Sequence, residues 1–204
     1  MIDVQSQIER RPLVLQLQPA IDMTHEQFFE FCQLNRDLRI ERTAEGEIVI
    51  MAPAGGETSA RNTKLTSQVD RWAEEDGSGV VFDSSGGFDL PSGATRAPDV
   101  AWVKRSRLTT LAPEEKQRFL PLCPDFVIEL RSPSDSLSTV QDKMEEYLAN
   151  GAKLGWLIDP AGRRVYVYRP GADVERLDNP TELAGDPVLT GFVLDLTPIW
   201  EPAF

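Results

Sequence analysis

The chain has 204 residues, of which 41% are hydrophobic and 26% charged, and its formal net charge is −12. This length supports a substantial hydrophobic core. No apolar run reaches the ~20 residues of a membrane-spanning helix, so a membrane partner is not expected. The acidic excess excludes a nucleic-acid binder that relies on a broad basic surface. Any such role must rest on local basic patches, a bound metal or a partner.

Residues 1–20 read as extended chain. Arg10 and Arg11 followed only by Leu13-Val14-Leu15 make too short a run for a secretory signal. Thr24 to about Arg36 reads as a helix opened by a capping box of Thr24 and Gln27. Leu38 to Thr43 and Ile48 to Ala52 read as strands around a Glu45-Gly46 turn. Glu57 to about Glu75 reads as a long helix with Leu65, Val69 and Trp72 on one face, ended by Gly77. Short strands follow at Val80-Val81-Phe82 and around Phe88. Ala112 to about Leu120 is expected to be a helical excursion. Ser138 to Asn150 reads as a second core helix with Val140, Met144, Tyr147 and Leu148 as its apolar stripe. Gly155 to Ile158 and Val165 to Tyr168 read as strands joined by an Asp159-Pro160-Ala161-Gly162 turn. The tail from Gly171 is expected to hold several prolines and a final short strand near Phe192-Val193-Leu194.

Two further strands carry the chemistry. Pro98-Asp99-Val100-Ala101-Trp102-Val103 and Asp125-Phe126-Val127-Ile128-Glu129-Leu130-Arg131 are apolar runs interrupted by acid. A buried strand is expected to be nearly continuous Val, Ile, Leu and Phe. A carboxylate within one costs several kcal/mol, as an order of magnitude, unless a cation or hydrogen bonds neutralise it. Two such strands point to carboxylates converging on a positive charge, for which a hard divalent metal is the usual candidate. Glu129 and Arg131 are spaced to share a strand face, so a buried Glu129–Arg131 pair is the structural alternative. Asp99 could instead cap a turn. Glu57, in the first turn of its helix, is also where the helix dipole favours an acid. Lys143 flanks the apolar stripe of the second core helix and can either reach the acids or snorkel to the surface. Acids clustered without metal should repel, raising at least one pKa.

Other chemistries lack their residues. His25, the one histidine, opens a helix and is expected to face solvent, so neither a Ser–His–Asp triad nor a histidine-rich zinc site is expected. No Gly-rich phosphate loop occurs. Cys32 and Cys123 lack zinc-site spacing and read as reduced thiols of a cytoplasmic protein. No linker or repeat divides the sequence, which reads as one α/β domain over 1–204 with its core at about 24–170.

Pro98-Asp99, Glu129-Leu130-Arg131-Ser132-Pro133-Ser134-Asp135, Lys143…Tyr147…Gly151 and Gly155-Trp156-Leu157-Ile158-Asp159-Pro160 together resemble the Uma-type family of restriction endonucleases, within the PD-(D/E)XK nuclease superfamily. The resemblance runs from about Phe28 to Asp195. It implies a restriction-endonuclease-like α/β core, a mixed β-sheet flanked by α-helices, here with extra N-terminal and C-terminal strands. It also implies Mg²⁺, with Mn²⁺ as a substitute, and hydrolysis of phosphodiester bonds in nucleic acid, DNA above RNA. Asp99 and Glu129 match the two motif acids, and Glu57 matches an acid that many members carry on the first core helix.

The sequence departs from the pattern at Arg131, where the superfamily places lysine two residues after the second acid. Arginine cannot act as a general base but can stabilise a phosphate electrostatically. Lys143 matches a lysine relocated to the neighbouring helix. The resemblance thus gives Asp99, Glu129, Arg131 and Lys143 as catalytic residues and Glu57, Asp99 and Glu129 as metal ligands. Lys104, Arg105 and Arg107, with Arg96, are candidate nucleic-acid contacts, a charged surface loop being the alternative for the first three. A homodimer is allowed. The competing function is a non-catalytic interaction or dimerisation module with a degenerate site, which the net charge and Arg131 favour.

Overall fold

The computed structural model describes residues 12–202. The first half of the chain builds a five-stranded sheet and the first two helices. Strand β1 (Leu13–Leu15) precedes helix α1 (His25–Leu34), and β2 (Arg39–Arg42) and β3 (Ile48–Met51) form a hairpin. Thr24 Oγ1 accepts from Gln27 N and Gln27 Oε1 accepts from Thr24 N, the expected capping box. Helix α2 (Gly56–Asp76) ends at Gly77, whose φ of 69° places it in the left-handed region that glycine enters without strain. Strands β4 (Gly79–Asp83), β5 (Phe88–Asp89), β6 (Thr95–Arg96) and β7 (Val100–Lys104) follow.

The second half begins with the short helix α3 (Arg105–Leu108). Between it and β8 (Phe126–Leu130), the expected helical excursion at 112–120 is a single 3-10 turn, Glu115–Gln117. The segment has no apolar stripe to offset the cost of nucleating a helix, and Pro121 biases Leu120 toward extended backbone. Leu120 instead bridges to Phe88. Helix α4 (Leu137–Ala149), β9 (Leu154–Asp159) and β10 (Arg164–Tyr168) lie as expected. The tail holds β11 (Glu175–Asp178), β12 (Glu182–Ala184) and, where the final strand is expected, β13 (Val193–Asp195), then the short helix α5 (Thr197–Trp200).

The main sheet has six strands in the order β11-β10-β9-β8-β7-β4 and is mixed, because only β8–β9 pairs in parallel. One face buries Val100, Trp102, Phe126, Ile128, Leu130 and Trp156 with Leu65 and Val69 of α2 and residues of the C-terminal hairpin. The other buries Ala101, Val103, Val127 and Leu157 with Met144 and Tyr147 of α4. This is the strand alternation of two buried faces. The second sheet, β1-β3-β2-β6-β5, is antiparallel. The chain passes from its strand β6 directly into β7 through Ala97, Pro98 and Asp99, so Asp99 stands where the two sheets meet. No helix among the described residues is long and apolar enough to cross a membrane.

Candidate active site

Antiparallel pairing sets Val100 against Ile128 and Ala101 against Val127. One residue further along the same register, Asp99 stands opposite Glu129. Both are nearly buried, at 7% and 6% exposure; Glu129 alternates onto the α4 face, while Asp99, just before β7, reaches α2. Pro98 has no N–H to place in a ladder, so pairing lapses there and the Asp99 side chain takes over part of it. Asp99 Oδ2 accepts from the backbone N of Leu130 at 2.9 Å, and Oδ1 accepts from Asn62 Nδ2 of α2 at 3.0 Å. Arg39 Nη2 lies 3.6 Å from Oδ1.

Glu129 meets α4. Lys143 and Tyr147 are four residues apart and thus on one helix face. Lys143 Nζ lies 2.9 Å from Glu129 Oε1, and the Tyr147 hydroxyl donates to the same oxygen at 2.9 Å. The same Nζ donates to Glu41 Oε1, from β2, also at 2.9 Å. Glu41 Oε1 accepts in addition from Ala97 N, and Oε2 accepts from Arg96 Nη1. Arg96 Nε donates to Glu146. One lysine therefore serves two carboxylates.

The titration behaviour follows from that sharing. Burial pushes the Glu129 carboxyl up to about 7; Asp99 and Glu41 add to the rise, and Lys143 only partly opposes it. Glu41 is buried as deeply, which alone would raise it, yet Lys143, Arg96 and the Ala97 N–H hold it below the ordinary carboxylate range. Burial would lower the Lys143 ammonium, but Glu129 and Glu41 outweigh it and the net shift is upward. Burial, with Glu129 and Glu41, keeps the Tyr147 phenol protonated well past its usual range, so it remains a donor.

Asp99, Glu129 and Lys143 come together in this way. The remaining candidates have other partners. Glu57 pairs with Arg61 one turn along α2 at 3.0 Å and is well exposed. Arg131 bonds Asp159 Oδ1 at 3.2 Å and the carbonyl of Asp135 at 3.1 Å, and the cation beside Glu129 is Lys143 rather than Arg131. The reason is register: Leu130 pairs with Ile158, which leaves Arg131 beside Asp159 as the two strands end. Arg96 is largely buried between Glu41 and Glu146. Arg105 bonds the carbonyls of Gly77 and Gly79, and Arg107 pairs with Asp125. Lys104 is exposed. This group stands at the far end of β7 from Asp99, five residues or roughly 17 Å away.

Three participants escape a reading of the sequence. Arg39 and Glu41 alternate onto one face of β2, a strand whose sequence reads as half-solvated. Asn62 does carry a signal. It falls between Thr58 and Leu65 on the buried stripe of α2, where a polar residue is out of pattern.

The donor set suits a hard divalent ion. Asp99, Glu129 and Asn62 offer oxygen only. Asn62 Oδ1 is buried with no hydrogen-bond partner among the described residues, an oxygen with unspent acceptor capacity beside Asp99. Mg²⁺ is commonly bound through one or two carboxylates, with waters completing its octahedron. Among the described residues no group of three or more His, Cys, Asp or Glu side chains is arranged to hold a metal, so a fit rests on two acids and an amide.

Known proteins share the family profile and the fold. The sequence profile of a family described as "Putative restriction endonuclease" matches residues 25–197. A crystal structure from Anabaena variabilis, described as that of "a putative nuclease", superposes with a TM-score of 0.71 at 24% identity, covering 88% of this chain and 98% of that one. No curated protein matches.

Proposed function

The chain belongs to that restriction-endonuclease family, Uma2, and has its mixed α/β nuclease fold; from this premise we propose that it hydrolyses phosphodiester bonds in nucleic acid, DNA before RNA, with Mg²⁺ or Mn²⁺. The observation that carries the reading is the cross-strand pair Asp99–Glu129 with Lys143 Nζ 2.9 Å from Glu129. Asp99 and Glu129, with Asn62 Oδ1, would hold the ion. Bound there, it supplies Lewis acidity toward a phosphate oxygen and lowers the pKa of a water.

The chain's own residues do the rest. Lys143 stays protonated at neutral pH, so its part is electrostatic: it stabilises negative charge developing on the phosphate. Tyr147 fixes Glu129 by its hydrogen bond. Asn62 and the Leu130 N–H orient Asp99. Two copies, each cutting one strand of a duplex, would make a double-strand break, so a homodimer belongs to the proposal. Cys32 and Cys123 are free thiols, which suits a reducing cytoplasm.

A degenerate, non-catalytic module is the second reading, favoured by the engagement of Arg131 with Asp159. One experiment separates the two. Mg²⁺ should raise the melting temperature by binding the folded state alone, and Asp99→Asn should remove that increment while the fold persists. Plasmid cleavage in Mg²⁺ should fall about a hundredfold or more in Lys143→Ala with metal affinity kept. A melting temperature indifferent to Mg²⁺ and Mn²⁺, with no cleavage, would leave the module reading.

A further inference from the structure

We infer that Glu41 is a positioning residue for this site, acting through Lys143; the inference rests on the nuclease reading above and adds to it a residue from the second sheet. Glu41 lies on β2 and is 3% exposed. Its two oxygens take three donors from two other parts of the chain. Oε1 accepts from Lys143 Nζ at 2.9 Å and from Ala97 N at 3.1 Å, and Oε2 accepts from Arg96 Nη1 at 3.3 Å. Lys143 comes from α4. Ala97 stands two residues before Asp99, on the stretch that carries the chain from one sheet to the other. A single carboxylate thus ties the catalytic lysine to the approach of the first motif acid.

The chemistry separates this role from that of a metal ligand. Glu41 spends its acceptor capacity on protein donors. Glu129 Oε2, in contrast, carries no hydrogen bond among the described residues, both of its contacts falling on Oε1. The role also differs from plain stabilisation. A buried ion pair is a weak source of stability, and apolar residues of similar volume often serve as well. A lysine, however, is a point charge on a flexible four-carbon stem. With Glu129 as sole partner its ammonium could swing around one oxygen. With Glu129 and Glu41 each at 2.9 Å, its place is fixed from two sides.

The test is a double-mutant cycle read on Mg²⁺-dependent cleavage of supercoiled plasmid, with Mg²⁺ affinity measured calorimetrically on the same proteins. Glu41→Gln should lower kcat about ten- to hundredfold, the range for residues that orient a site from behind, with Mg²⁺ affinity within about threefold of wild type. Lys143→Ala should cost about a hundredfold or more. The double variant should be no slower than Lys143→Ala, because Glu41 has nothing left to position. If Glu41→Gln does not fold, Glu41→Asp keeps the charge but draws it back by one methylene; it should lose kcat while KM stays near wild type.

Losses that multiply in the double variant, or a Glu41→Gln whose activity falls only in step with its melting temperature and Mg²⁺ affinity, would make Glu41 a structural residue and overturn the inference alone. Wild-type protein that cleaves nothing in Mg²⁺ or Mn²⁺ would remove the nuclease reading and the inference with it.

Discussion

Lys143 is one cation between two carboxylates, and Glu129 bears the consequence. Glu41 has Arg96 and a backbone N–H besides Lys143 and keeps its charge easily; Glu129 has Asp99 opposite it and titrates near 7. In the unfolded chain Glu129 returns to its ordinary value of 4.5. Between about 4.5 and about 7 the folded, metal-free protein therefore holds a proton that the unfolded chain has released, and stability falls as pH rises through that window, by roughly 3 kcal/mol for this group. Glu41 acts with the opposite sign and lower down: its contribution is present above the ordinary carboxylate range and lost on acidification. Glu129→Gln should flatten the decline between pH 4.5 and 7 in denaturant melts of metal-free protein; a decline of unchanged slope would assign the proton elsewhere. A bound ion requires the ionised carboxylate. Mg²⁺ affinity should thus climb by up to about tenfold per pH unit below 7 and level off above it, as calorimetry at several pH values would register. Asp99 and Glu129 were legible because a charge inside an apolar strand violates a strong local rule. Glu41 was not. In Arg39-Ile40-Glu41-Arg42 nothing local marks the polar face as buried, and its partner Lys143 lies 102 positions away.

At the scale of elements, the proposed function would divide between α4 and β8 the chemistry that the resemblance to the superfamily places on one strand. The helix lies over the acids with Lys143 and Tyr147 one turn apart, so a lysine on it reaches Glu129 as well as a strand residue would. Arg131 ties the ends of the parallel pair β8–β9. Asp159 is 2% exposed and Arg131 is its bonded cation. Arg131→Ala should leave that carboxylate buried without a charge partner and cost about 3 kcal/mol in urea unfolding, toward the lower end for a broken buried pair because Arg131 is partly open to solvent. Cleavage per folded molecule should fall far less than in Lys143→Ala. If the two substitutions reduced kcat alike with stability intact, Arg131 would belong to the reacting centre. The long helices and the central strands were readable from periodicity, since each has a strong apolar stripe or run. The second sheet was not readable as a sheet, because its strands are short and half-exposed and its β2–β6 contact joins segments far apart in sequence. The register that sets Asp99 against Glu129 follows from a connection between β7 and β8 that has almost no regular structure of its own.

For the whole molecule, charge sets the terms on which it meets nucleic acid. Thirty-three acidic residues stand against twenty-one basic ones, and of the basic cluster after β7, Arg107 is already paired with Asp125 and Arg105 with backbone carbonyls. Within that cluster Lys104, which is exposed, is left to neutralise phosphates. If about three phosphates are contacted, log K for a short duplex should fall with log salt at a slope of roughly −3, shallow for a DNA-binding protein. Fluorescence anisotropy in Ca²⁺, across a salt series, measures it. A slope near −8 would mean about nine phosphates contacted and overturn the expectation.

The site is also built from contacts of long reach. Asp99 is held by Leu130 and Asn62, 31 and 37 positions away, and Lys143 by Glu41 at 102. Contacts of such separation are slow to close during folding, because chain entropy is lost before they repay it. Hairpins and helices can therefore be complete in a refolding chain whose acids have not yet met. Circular dichroism would count such molecules as recovered, whereas the capacity to bind Mg²⁺ would not. Under the proposed function the ion would be the stricter witness of nativeness, and the active fraction of a preparation would be better counted by stoichiometric metal titration than by its spectrum.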